Sequence, residues 1–368
     1  MFFDVARFEG TTFSSRTDFR GVTFSSIANF AVATFSDLVL FQHANFGSAA
    51  HFDQGTFSGV THFQGATFDN ANFRGVAFSA LAHFEEANFS GYAEFRDTSF
   101  LGAAFFHGAK FDGLTRFVNA KCSVMVFKEA KFSSIAEFRG AIFSQLASFD
   151  DAAFSDSAQF DHAAFGSPCS FVNAEMKGPT SFEAANFRSE PPRFFGAKLH
   201  EGTVWRHVHW PIPSIQAEAG PFVDAYERLK LEMDRLKKHE DELDFFALEL
   251  QSRRVLAGGL RGLPIVIYGL LCDYGRSYVR PMGWALTTII IGAALYLPHF
   301  GLSKYLQALG LSVVNILGVF GFRKDFIDPH VIESLWRFLK IVSAFQTLVG
   351  IVLLFFFGLA VRNRFRMK

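Results

Sequence analysis

Six histidines, His43, His51, His62, His83, His107 and His162, recur at polar positions in the first half of the chain. Regularly spaced imidazoles are the first groups to weigh for metal binding or proton transfer. Each sits beside an apolar residue of a repeating pattern, so together they read as an outward, solvated face rather than a ladder of ligands. His207 and His209 are spaced to chelate as a pair, but no third ligand follows at a recognisable distance along the chain. Asp150-Asp151 and Glu85-Glu86 are isolated acidic pairs on the same repeating surface. No nucleophile motif, phosphate loop or dinucleotide fingerprint accompanies them. Cys122, Cys169 and Cys272 are too scattered for a disulfide framework or a metal cluster, which suits a reducing compartment. The residues therefore point away from an enzyme, with no catalytic, cofactor-binding or metal-binding set.

The elements carrying these groups follow from phenylalanine. Phe8, Phe13, Phe19, Phe24, Phe30, Phe35, Phe41 and Phe46 alternate steps of five and six, and the pattern persists to Phe187. Neither a helix nor a flat strand has that period. Two residues before each Phe stands something small, as in Ala28, Ala33, Ala44, Ala50, Ala66 and Ala71. A small inward residue, a spacer and a large inward residue suit one side of a four-sided coil, with a turn at each corner. On these residues the chain resembles pentapeptide-repeat proteins. The resemblance implies a right-handed quadrilateral β-helix, a pentapeptide-repeat solenoid, over residues 1–200. Thirty-four sides between Phe8 and Phe187 give eight and a half coils, and stacked strands ~4.8 Å apart make a rod of roughly 40 Å.

The rhythm slips by one residue at Phe68, Phe73 and Phe78 and again at Phe117, Cys122, Phe127 and Phe132. Cys122 and Met176 stand in Phe positions and Met125 and Cys169 in Ala positions, so all four are expected inward. Pro191-Pro-Arg-Phe-Phe-Gly-Ala-Lys-Leu199 is expected to break the rhythm. Residues 201–221, with Trp205 and Trp210, form a capping segment and linker, while Phe2 and Phe3 cover the opposite end.

Beyond the prolines the period changes to four and three, predicting one amphipathic helix over residues 222–257. Its seam, Phe222, Tyr226, Leu229, Met233, Leu236, Leu243 and Leu250, is interrupted at Glu240. Such a seam either folds back on its own domain or joins copies in a coiled coil; a homo-oligomer is the expectation. Residues 258–280 hold a ten-residue apolar stretch, Leu263 to Cys272, that suits an interfacial segment. Residues 281–368 read as a transmembrane domain in a lipid bilayer, with spans at about 281–303 and 336–361. A re-entrant segment at about 305–322 keeps Arg276, Arg280 and the C-terminal Arg362, Arg364, Arg366 and Lys368 on one side, at the cost of leaving Arg323, Lys324, Arg337 and Lys340 on the other. A full third span is the alternative. Met1-Phe-Phe-Asp runs directly into the repeats without a signal peptide, so the β-helix and the C-terminus are expected in the cytoplasm.

Span, re-entrant helix, glycine-bearing loop and span resemble the pore module of two-transmembrane cation channels. The resemblance makes Asn315, Gly318 and Gly321 a candidate pore loop and Gly350 a candidate inner-helix hinge, in a helix from about Val331 through Arg362. Asn315-Ile-Leu-Gly-Val-Phe-Gly-Phe322 lacks the Thr-Val-Gly-Tyr-Gly run whose carbonyls replace the hydration of potassium. The whole arrangement resembles membrane-anchored bacterial pentapeptide-repeat proteins of the inner membrane. It implies a scaffold whose β-helix meets an unknown protein partner, with an oligomeric channel as the alternative. Mimicry of DNA toward a topoisomerase is a minor alternative. Residues 1–200 hold twenty Asp and Glu against fifteen Lys and Arg, a net of only −5, and nucleic acid is not an expected partner.

Overall fold

The computed structural model describes residues 1–318 and 329–366. Two compact units divide them: Met1–Ser214 with Asp224–Leu236, and Ile215–Val223 with the residues from Lys237 onward.

The first unit is a β-solenoid of about eight turns of pentapeptide repeats. Most strands are two residues long and pair in parallel with the turn above, as Phe24 with Phe46 and Thr61 with Ala82. The Phe residues fall into four ladders, which define the four sides. One contains Phe24, Phe46 and Phe68, the next Phe30, Phe52 and Phe73, the third Phe35, Phe57 and Phe78, and the fourth Phe41, Phe63 and Phe84. Rings within a ladder stack with centroids 4.6 to 5.3 Å apart. Between ladders they meet edge to face, as Phe41 and Phe52 do at 5.7 Å and 81°. Both arrangements suit the aromatic quadrupole, and each buried ring contributes about 1.5–3 kcal/mol of transfer free energy.

The alternation of five and six has a backbone cause. Every second corner carries one extra residue in the left-handed region, among them Gly10 (φ 62°), His43 (56°), Gln54 (56°) and Asn119 (56°). The Thr11 N–H donates to the Phe8 carbonyl across the first such corner, with Gly10 at the third position, which is a type II turn. The next corner lacks the extra residue, and the two together make eleven. Each slip in the rhythm is absorbed beside a bulge. Asn45–His51 and Thr67–Asn72 shift register between Phe68 and Asn70, and Ser99–Phe105 and Lys121–Val126 shift between Phe100 and Ala103. At these places two adjacent sides run on as one strand.

The four sulfur substitutions are buried as expected. Cys122 is smaller than the Phe it replaces and Met125 larger than the Ala it replaces. Their sulfurs lie 3.7 Å apart, so the methionine fills the volume that the cysteine leaves open.

The ends depart from expectation. Phe2 stacks on Phe24 at 5.1 Å, but Phe3 is 72 % exposed and covers nothing. Pro191 to Leu199 does not stop the coil. Arg193, Lys198, Val204 and His209 bridge to Ser170, Glu175, Ser181 and Asn186 one turn below. Phe194, Trp205 and Trp210 stack on Phe171, Phe182 and Phe187. The solenoid therefore continues past residue 200, because large aromatic rings resume after the interruption. Its last coil is closed by α1 (Ala219–Arg235), which buries Tyr226, Leu229 and Met233. The Tyr226 hydroxyl donates to the Pro211 carbonyl. Glu232 accepts the Leu199 N–H at 3.3 Å, and Arg235 donates to the Leu199 carbonyl at 3.3 Å. Backbone groups at the edge of the sheet thus find partners in a helix.

The single helix expected over 222–257 is two. α1 ends at Arg235 and α2 (His239–Ala257) follows, with Lys237 at φ 60° between them, near the lapse of the seam at Glu240. Phe222, Tyr226, Leu229 and Met233 are covered within the chain and Leu236, Leu243 and Leu250 are partly so, which leaves the seam no fully exposed apolar stripe.

The second unit continues with α3 (Leu263–Cys272), α4 (Val279–Phe300), α5 (Tyr305–Ile316), α6 (Pro329–Ser334) and α7 (Arg337–Arg366). Val279–Phe300 and Arg337–Phe365 are long and apolar enough to cross a membrane, and only 17 % and 22 % of their most apolar stretches are buried. Leu286, Ile290, Phe345 and Phe355 are exposed on them, which is costly for a helix in water. α5, at twelve residues, is about 18 Å long and too short to cross ~30 Å of hydrocarbon. The final helix starts at Arg337 rather than near Val331, because the chain breaks between α6 and α7 at Leu335 and Trp336.

Two outcomes follow for stability. Met125→Ala is expected to cost about 2–5 kcal/mol and Cys122→Phe about 1–3 kcal/mol, whereas the double variant, an ordinary Phe and Ala pair, recovers most of both. A double-mutant cycle in denaturant reads this coupling directly. Burial opposes ionisation of Glu232, but Arg235, the Leu199 N–H and Arg228 outweigh it and hold its carboxyl below the usual range. A carboxyl depressed in the folded state stabilises above its unfolded pKa, and that stability is lost as pH falls through the folded one. Stability measured from about pH 5 down to 3 should therefore fall more steeply in the native protein than in Glu232→Gln.

Candidate functional site: a polar cluster among the apolar helices

α4, α5 and α7 pack around a part of the second unit where several uncharged polar side chains meet under full burial. Ser312 and Asn315 on α5, and Ser343 and Gln346 on α7, are each three residues apart and so share a helix face. Tyr296 comes from α4. All five are at most 3 % exposed. The Asn315 amide donates to the Tyr296 hydroxyl and to the Gln346 carbonyl oxygen, both at 3.2 Å, and its own oxygen accepts from Ser343 at 3.1 Å. The Gln346 amide donates to the Thr288 carbonyl at 3.1 Å and to Ser312, while its oxygen accepts from Tyr296 at 3.1 Å. The Ser312 hydroxyl in turn donates to the Ile289 carbonyl at 2.8 Å.

Both amides use both of their donors. These five side chains include no carboxylate, imidazole or ammonium, and their arrangement is equipped to hold three helices in register rather than to transfer a proton. Where water is scarce, polar side chains bonded across helices act as such links. Small residues make the approach possible. A Cβ on Gly292 would lie 2.2 Å from the Gln346 amide nitrogen, and one on Gly350 would lie 2.4 Å from the Ile316 carbonyl oxygen.

This placement bears on the residues singled out in the sequence. Asn315 is the hub of the cluster. Gly318 follows α5, beside the Thr347 methyl group at 3.3 Å from an added Cβ, and Gly321 lies outside the described residues. Gly350 marks the close contact of α7 with α5, a tight packing point rather than an open bend. Tyr296, Ser312, Ser343 and Gln346 escaped sequence reading. The signal was there as polar pairs at helical spacing inside uncharged runs, but nothing in the sequence matched the three helices to one another.

A second constellation lies between α3 and α4. Asp273, Tyr274 and Gly275 have φ of 52°, 56° and 85°, three consecutive left-handed residues of which two are not glycine. Asp273 pairs with Arg276 at 3.1 Å and Arg280 at 3.2 Å, and Arg276 also reaches Asp244 at 2.9 Å. Asn363 of α7 donates to the Gly275 carbonyl at 3.2 Å. The tight turn is thereby tied to both apolar helices.

On the solenoid the histidines and acidic pairs have structural tasks. His43 and His162 occupy left-handed corners. His62 stacks on His83 at 4.8 Å, and burial, with His83 beside it, pushes its pKa down. His83 pairs with Glu85 at 2.8 Å. Asp150 accepts from Ser170 and from the Val172 N–H, and Asp151 occupies a corner. Arg116 lies 3.3 Å from Glu94 below and 3.3 Å from Glu137 above, a ladder of alternating charge set by the coil repeat. Neither His207 nor His209 belongs to a cluster of three ligand groups among the described residues.

The sequence model of the family described as Pentapeptide repeats (9 copies) matches residues 41–87 and 52–99. The chain is a pentapeptide-repeat protein: a β-solenoid followed by a helical region with two candidate membrane-spanning helices. No curated protein and no solved structure matches it. Solenoids of this kind are generally non-enzymatic structural or interaction proteins.

If the cluster is a helix link, Asn315→Leu should lower resistance to unfolding in detergent by about 1–2 kcal/mol. Gly350→Leu should cost more, because the contacting atom is backbone and cannot step aside. Retention of native resistance by both variants would contradict the assignment.

Proposed function

We propose that the protein is a non-enzymatic, membrane-anchored scaffold of the inner membrane, with the solenoid and the C-terminus in the cytoplasm. The observation that carries this reading is an apolar ridge along one corner of the solenoid. Leu38, Val60 and Leu81 occupy it in three successive turns and, after Ala103, Val124 and Leu146 in the next two, with Leu81 and Leu146 each 40 % exposed. Their carbonyls carry the ladder bonds to the neighbouring turn, so the ridge is as rigid as the sheet. Polar sides flank it, a pattern that suits an extended protein partner. The helices supply the anchor, and the basic residues at the start of α4 and the end of α7 favour one cytoplasmic side for both.

The test uses the full chain in native membranes. Cross-linking should capture a protein partner that Leu81→Asp with Leu146→Asp releases, while the double variant keeps its fold by circular dichroism. An identical set of captured proteins with both chains would remove the ridge as the interface. Ion flux through purified protein in a bilayer, above an empty-bilayer control and altered by Asn315→Ala, would replace the scaffold with a pore.

A further inference from the structure

A groove of about 380 Å³ runs between the start of α4 and the end of α7, lined by Tyr278, Met282, Phe357, Val361, Arg364 and Phe365. It has two chemically distinct ends. Met282, Phe357 and Val361 belong to the two apolar helices and make an apolar floor. Arg364 and Tyr278 stand where those helices reach their basic flanks, which is the level of a headgroup in a bilayer. Two of the nearby cations are already paired: Asp273 holds both Arg276 and Arg280, and Asp244 holds Arg276 a second time. Arg364 has no ion pair among the described residues and is exposed at the mouth of the groove.

We propose that this groove binds one anionic phospholipid, with the phosphate on Arg364 and Tyr278 and an acyl chain along Met282, Phe357 and Val361. The proposal rests on the membrane reading above. A guanidinium meets phosphate oxygens with two parallel hydrogen bonds, and the phenol adds a third donor. The negative headgroup supplies the charge that the groove lacks, and the acyl chain replaces an apolar surface otherwise left open. A zwitterionic lipid satisfies the floor but brings its own cation to the mouth.

The full chain, purified in mild detergent, is titrated with phosphatidylglycerol or phosphatidylcholine and the bound lipid is counted by native mass spectrometry. One phosphatidylglycerol should be retained with about tenfold preference, the worth of one charge-assisted contact. Arg364→Gln should bring the two lipids to parity, Arg364→Lys should keep a weaker preference, and Arg362→Gln should leave it unchanged. Val361→Trp fills the groove without touching the charge and should release both lipids, with circular dichroism reporting an intact fold. Equal preference in the native chain and Arg364→Gln overturns the site. Cross-linking of Met282→Cys to a second copy, with no lipid preference, overturns it in favour of a protein contact. A chain that stays in solution without detergent and does not enter vesicles overturns the membrane reading instead.

Discussion

The spacing between neighbouring strands governs the first unit. Strands in a sheet lie ~4.8 Å apart, and the Phe rings inside the solenoid repeat at the same interval, as between Phe46 and Phe68 at 4.8 Å. A flat ring is the side chain that fills such a layer without leaving a void between turns. Each position in a ladder must then be aromatic or be compensated locally, as Cys122 is by Met125. The small residue two places before each Phe follows from the same limit, because two large inward groups on one short side would collide.

That constraint also explains why the unit needs caps. A stack held by contact between adjacent turns has no intrinsic end, and its last turn exposes both backbone groups and ring faces. At one end the Phe2 ring covers Phe24. At the other, Trp205 and Trp210 finish their ladders and α1 brings Glu232 and Arg235 to the Leu199 backbone. The apolar face of α1, which in sequence could equally serve a coiled coil, is occupied in this task.

The helical unit follows another rule. Where helices are as apolar on their exposed faces as α4 and α7, apolar surface alone does not set their register, and polar links and close approach do. The cluster around Asn315 and Gln346 supplies the links, and Gly292 and Gly350 the approach. Asp273 fixes the turn before α4 through its two arginines. The same asparagine and glycine that resemble parts of a pore are used here to hold three helices together.

The sequence by itself determined the solenoid, its four sides, its two slips and the inward direction of its sulfurs. Those features repeat at a short interval, so each turn restates the evidence of the last. It also marked the two apolar helices, since length and composition decide that property. Only the tertiary structure decided the extra coil after Pro191, the break at Lys237, the α1 cap and the polar cluster. The cap joins residues 33 apart, and the cluster joins groups up to 58 apart. Neither follows a repeat, and each depends on which surfaces remain unsatisfied once the regular elements have formed. Periodicity is a local property that a chain displays along its length, whereas these pairings exist only after distant segments meet.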